Sequence, residues 1–257
     1  MALTAEGKAL TQSHQRQQMA LASSAQAASR PIWASVLRAQ GVWLASQLGL
    51  LADCFSRSQE LTESYLEAYR SAEGVAPGPI ERVPFPVAEM TSVILVGGPY
   101  SVKNLIGDGL SGDQALSKGF TKFSGLVSRQ VLSGGRLLIA DSTANDRQAV
   151  GWRRVSDGNP CTFCAMLVTR GPVYKSRETA DSIAGKGTRY HAHCGCTAEI
   201  VYGEWQPTEA EERMISSYVG AAMTASAVDG VRIQQTVLWR MRAKGHFRDS
   251  PAVRGKQ

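Results

Sequence analysis

Charge is sparse in this sequence, long apolar runs are missing, and only four histidines occur. Charged residues make up 19% of the 257 positions and hydrophobic residues 43%, the balance of an ordinary globular chain long enough to bury a sizeable core. The N-terminus has no basic segment followed by an apolar stretch, so no secretory leader is expected. The most apolar stretch, from Ile32 to Leu51, is broken by Arg38, Gln40 and Gln47, which makes it too polar to span a bilayer. Synthesis in the cytosol and no membrane partner are the expectations.

Most catalytic signatures are missing as well. There is no HExxH, no Gly-x-Ser-x-Gly elbow and no His-x-Glu, which argues against a zincin, a serine hydrolase and a zinc deaminase in turn. His14 lies in a polar beginning and His246 in a basic end, so a Ser–His–Asp triad would have to borrow a histidine from the cysteine-rich segment. Gly185-Lys186-Gly187-Thr188 lacks the first glycine and the Lys-Ser/Thr step of a phosphate loop and fits a plain turn. Asp157, Glu178, Asp181 and Glu199 are expected as solvated surface groups. No enzymatic activity is predicted.

The net charge of +6 is concentrated at one end. Residues 231–257 hold seven basic side chains and one acid, while the rest of the chain balances at 21 of each sign. Such a basic end suits a polyanion, for example double-stranded DNA, or an acidic protein surface.

Residues 1–30 are rich in Gln, Ser and Ala and nearly free of large apolar side chains; the segment can form a solvated helix, but it has little to bury and is expected to order only against a partner. Trp33, Val36, Leu37, Leu44, Leu48, Leu51 and Phe55 follow three- and four-residue steps, with Pro31 suited to a first helical turn. Leu61, Tyr65, Leu66 and Tyr69 predict a second helical stripe. The domain division is a helical region over 1–74, a Pro/Gly-rich linker over 75–89, a metal-module domain over 90–206, and C-terminal helices with a basic tail over 207–257. Within the third, 120–132 predicts a helix ending at Gly134–Gly135, whereas 136–140, 150–155 and 197–202 are strand-like. Thr208 and Glu211 have capping-box spacing and open a helix to about Met223, and a further helix is expected over 231–243. The fold class is α+β, predominantly α-helical, with a small β-containing Cys/His module.

Four of the five cysteines fall between residues 161 and 196, and the isolated Cys54 sits in an apolar helical pattern as a small buried hydrophobe. Cys161-Thr162-Phe163-Cys164 is followed after twenty-six residues by His191-Ala192-His193-Cys194-Gly195-Cys196. A Cys-x-x-Cys turn points two thiolates the same way, and a returning cluster completes a tetrahedron, so Cys161, Cys164, His191, Cys194 and Cys196 are candidate metal ligands, with His193 a sixth. A closed site takes only four of them. Soft sulfur donors favour Zn²⁺ over magnesium or calcium. A thioredoxin-like pair would lack the second thiol cluster beside it.

These residues carry a resemblance. Gly151-Trp152-Arg153-Arg154-Val155-Ser156-Asp157, the run Pro160 to Leu167, and Tyr190 to Cys196 resemble the phage Mu F-like minor head proteins, in the form found in actinobacteriophages. Many members show Cys-x-x-Cys followed by His-Pro-Asn-Cys-Arg-Cys; here Ala192 stands at the proline, His193 at the asparagine and Gly195 at the arginine. The match spans about Gly151 to Tyr202. It implies His191 as fourth ligand beside Cys161, Cys164 and Cys196, with Cys194 competing. It also implies a structural protein inside the phage head, at the portal vertex, assembled in the host cytoplasm. Its partners would be the portal protein, the inner surface of the major capsid protein and packaged double-stranded DNA. Some relatives are linked to a head maturation protease, which stands as the alternative, and a free-standing DNA-binding protein is a further one.

Overall fold

The computed structural model describes residues 4–177, 180, 190–225, 233–244 and 247–248. The protein is α+β and predominantly helical. Helix α1 (Ala5–Trp33) begins where the Thr4 hydroxyl accepts the Gly7 N–H at 2.9 Å, and Pro31 lies in its last turn. The helix at the start is one the composition allows, whereas Pro31 sits in a last turn instead of a first. The polar N-terminal segment is ordered against the chain's own helices because its polar side chains find partners there. Gln18 donates to the Ser58 carbonyl at 2.8 Å and Ser58 donates back to Gln18 at 2.7 Å. His14 stacks on Tyr65 with ring centroids 4.3 Å apart.

The two stripes after Gln40 belong to one helix, α2 (Gln40–Ala72), since no breaker separates them. Residues 75–86 follow without helix or strand. Arg70, itself paired with Asp146 at 3.0 Å, holds this segment by donating to the Gly78 and Pro79 carbonyls. Helix α3 (Val87–Leu95) runs through a π-turn kinked at Gly98 into α4 (Ser101–Gly107).

Helix α5 (Gly112–Asn145) starts at a Ser111/Gln114 capping box and continues through Gly134–Gly135. The strand expected at 136–140 is therefore helical. A continuous apolar run has no period to tell a buried strand from a buried helix, and the glycine pair serves close packing instead of ending the helix. A Cβ on Gly134 would lie 2.4 Å from the Phe55 carbonyl oxygen of α2. Helices α1, α2 and α5 thus form a three-helix bundle, with α5 reaching it from beyond the 75–89 segment. Its core includes Trp33, Trp43, Leu51, Phe123 and Val127, and Cys54 is buried there.

Strands β1 (Gly151–Val155) and β2 (Thr197–Val201) pair antiparallel, with Trp152 opposite Ile200 and Arg153 opposite Glu199. They pack on the far end of α2 and α5 through Trp152, Ile200, Tyr69 and Leu138. Between the strands lies the short helix α6 (Thr162–Val168), which packs against α7 (Glu209–Met223) and α8 (Ile233–Lys244). The Thr208/Glu211 capping box that opens α7 is formed as the spacing predicts.

Glu199 is not a surface carboxylate. It is fully buried, ion-paired with Arg153 and hydrogen-bonded by Thr11 of α1 at 2.6 Å, and Arg153 also pairs with Glu211 of α7. Burial works against the charge on Arg153, but the two carboxylates outweigh it and raise its pKa. The buried Arg153–Glu199 pair therefore ties the sheet to α1 through Glu199 and to α7 through Arg153.

Candidate metal centre

Cys161 is the N-cap of α6, and its sulfur accepts the Cys164 N–H at 3.4 Å. The N-cap and third helical position place both sulfurs on the same side of the first turn. The second cluster arrives on the loop leading into β2. Cys161, Cys164 and His191 form one group of donor atoms within 4.8 Å of one another, and Cys164, Cys194 and Cys196 form another. Cys164 is common to both. All four thiols are free of disulfides.

The distances suit a soft four-coordinate ion. Legs of about 2.3 Å to sulfur and 2.0 Å to nitrogen at tetrahedral angles imply edges of roughly 3.5–3.8 Å. Cys164 lies 3.5 Å from the Cys194 sulfur and 3.7 Å from His191 Nε2. The Cys161–His191 contact, 2.8 Å, is a hydrogen bond that must open slightly to admit an ion. His191 Nδ1–H donates to the Ala192 carbonyl at 2.6 Å, which leaves Nε2 as the lone-pair nitrogen facing the thiols.

The four thiols differ in acidity. Hydrogen bonds from Cys161, Cys194 and Cys196 hold the Cys164 thiol far below its ordinary pKa, and the same contacts push the other three up. Cys164 is thus the most acidic thiol, at the meeting point of the cluster, and a bound cation would displace protons from its neighbours.

Two arginines brace this cluster. Arg154 donates to the Cys164 sulfur at 3.3 Å, and Arg136 of α5 donates to the carbonyls of Cys194 and Cys196 at 2.7 and 2.6 Å. Both guanidiniums stack on Tyr190, each 3.7 Å from the ring centroid. Burial and neighbours pull the two apart: desolvation lowers the Arg136 pKa, whereas at Arg154 the surrounding phenol and thiols outweigh desolvation and raise it.

His193 is turned away from the centre. Its φ of 59° is left-handed, its ring nitrogen Nε2 lies 3.1 Å from the Thr121 carbonyl, and its backbone N–H donates to Gly125 at 3.2 Å. A side chain at residue 125 would occupy the imidazole's place, with a Cβ 2.4 Å from its ring. The left-handed backbone decides this, since it swings the side chain out of the ligand loop. Histidine tolerates that conformation better than most residues.

The chain belongs to the VG15 protein family. The family profile, described as VG15 protein, matches residues 5–221, from α1 through most of α7. The chain is also similar to the Gene 15 protein of Mycobacterium phage D29, at 27% identity over 148 residues, covering 46% of this chain and 54% of that protein. The chain therefore spans about half the length of that relative. No solved structure matches. These matches place this VG15 chain in a phage protein family, and neither carries the Mu F-like name.

The four thiols are buried while His191 is exposed, and the cluster lines a cleft of about 660 Å³ bordered by Asp157, Arg242 and Arg248; the Arg248 N–H donates to the Pro160 carbonyl at 3.1 Å. Sequence reasoning missed Arg136, Arg154 and Tyr190. One signal was available: two adjacent arginines inside a five-residue strand must face opposite ways, Arg153 toward Glu199 and Arg154 toward the thiols. Glu178, Asp181 and the 185–188 segment lie outside the described residues, as do Arg232, Arg254 and Lys256 of the basic end. No described helix is long and apolar enough to cross a membrane.

Proposed function

We propose that this protein is a structural minor head protein of a tailed phage, held inside the head at the portal vertex and stiffened by one zinc ion. Cys161, Cys164, His191 and one thiol of the Cys194–Cys196 pair are the proposed ligands. The observation that carries the reading is the convergence of two short motifs onto one reduced, arginine-braced cluster in a chain of a phage protein family. A zinc ion there would cross-link the start of α6 to the loop before β2. Its binding free energy would then be folding free energy for a module with only two short strands. The proposed partners are the portal protein and the inner capsid surface, with packaged DNA meeting the basic end.

A metal-dependent enzyme such as a head maturation protease is the second reading, favoured by the cleft whose lining includes both the cluster and Asp157. Metal analysis of the purified chain, with mass spectrometry of virions and density at the portal vertex, tests the first reading. A metal-free folded chain, or one absent from virions, defeats it. Co-expression of Asp157→Asn with the major capsid protein separates the two, since only the enzyme reading expects processing to be lost.

A further inference from the structure

The returning ligand loop is held by more than its thiols. Tyr190 directly precedes His191, and its ring bridges two guanidiniums. Arg136 of α5 and Arg154 of β1 each lie 3.7 Å from the ring centroid. All three side chains are buried, where cation–π attraction is strongest because neither group keeps its water. Arg136 also holds the loop backbone, its Nε donating to the Cys196 carbonyl at 3.0 Å and its Nη2 to the carbonyls of Cys194 and Cys196. Arg154 reaches the other motif, donating to the Cys164 sulfur at 3.3 Å. Between these anchors the His193 N–H donates to the Gly125 carbonyl, again on α5. The Cys164 sulfur apart, none of the atoms in these contacts is one that a metal ion would take.

We propose that Tyr190, Arg136 and Arg154 form a positioning clamp that seats residues 190–196 on α5 and against Cys164 before any ion binds. The bundle then sets the ligand geometry, and an ion adds stability by mass action to a loop already in place. Contacts behind the ligands that orient them in this way govern how tightly a site holds its metal. The clamp rests on the metal reading only for the ion it serves, since the seating of the loop belongs to the metal-free chain.

Hydrogen–deuterium exchange of the full chain, as purified and in excess chelator, tests the clamp with Tyr190→Phe and Tyr190→Leu side by side. Phenylalanine keeps the ring face and loses a hydroxyl that has no hydrogen-bond partner among the described residues, so Tyr190→Phe should match the native chain. Leucine keeps apolar bulk without a ring. In Tyr190→Leu, exchange across residues 190–196 in chelator should quicken at least about tenfold, while α1 and α2 keep their protection. Zinc affinity, by competition with a chromophoric chelator, should fall about 10–100-fold in Tyr190→Leu and hold in Tyr190→Phe. Arg136→Lys keeps the charge and loses the fork; it should follow Tyr190→Leu, and it decides the matter if that variant does not fold. Three results overturn the proposal: fast exchange across 190–196 in the native metal-free chain, equal loosening by Tyr190→Phe, or undiminished loop protection or zinc affinity in Tyr190→Leu. Loop protection lost only in Tyr190→Leu and Arg136→Lys, with no zinc bound by any chain, leaves the clamp standing and removes the metal reading.

Discussion

Cys164 touches more of the cluster than any other thiol, lying against the Cys194 sulfur and His191 Nε2 and receiving Arg154. Cys164→Ser should therefore reduce zinc from about one per chain, the tetrahedral-site expectation, to a trace by elemental analysis. Cys54→Ser, in the bundle core, should keep the full complement, and so should His193→Asn. Retention of zinc by the Cys164 variant would remove the basis of the metal assignment. His14 makes a different prediction at this scale. Burial lowers its pKa from 6.5 to about 4, so the folded state keeps it neutral while the unfolded chain takes up a proton. Its contribution is complete above pH 6.5 and is lost as the pH falls toward 4, by about 3 kcal/mol in all at 1.36 kcal/mol per unit. Urea unfolding across this window should flatten in His14→Gln, and an unchanged slope would mean that His14 is not the group responsible.

Among the elements, the contact between α2 and α5 is the most exacting. An alanine in place of glycine stabilises a free helix by about 1 kcal/mol. At Gly134 the added methyl meets the Phe55 carbonyl, and backbone cannot rotate aside as a side chain can. Gly134→Ala is accordingly expected to destabilise by about 1–3 kcal/mol, the usual range for overpacking, measured as a lower urea midpoint. Stabilisation would mean the two helices do not meet there. Nothing local in the sequence announces this, because a glycine pair marks a helix end and a close helix crossing equally well. The capping boxes at Ser111 and Thr208 were a different matter: only Thr208 was recognised, although both are formed.

For the molecule as a whole, the uneven charge matters more than the total. Phe247 packs against the α6–α8 cluster and Arg248 is bonded to Pro160, so the basic end begins as part of the folded module. Truncation after Arg248 removes Arg254 and Lys256 and should leave the melting temperature nearly unchanged. If both cations meet DNA phosphates, the log–log salt slope of binding should fall by about 1.8, at roughly 0.9 per phosphate. A salt response identical to that of the full chain would assign the tail no part in DNA contact.

The cysteines and histidine of the cluster, their spacing, the two strands that flank them and the cap of α7 were all legible in the sequence, because each depends on residues close together in the chain. The fate of the polar N-terminal segment, of His14 and of Glu199 was not. Their polar groups are buried only because distant partners reach them: Thr62 and Ser58 for the first two, Arg153 for the third. Hydrophobic pattern reports which side chains avoid water, but it is silent on polar groups that meet each other across a fold. The same holds for the metal centre, where the sequence named the thiols and only the tertiary structure supplied Arg136 from α5, Arg154 from β1 and the backbone turn that removes His193.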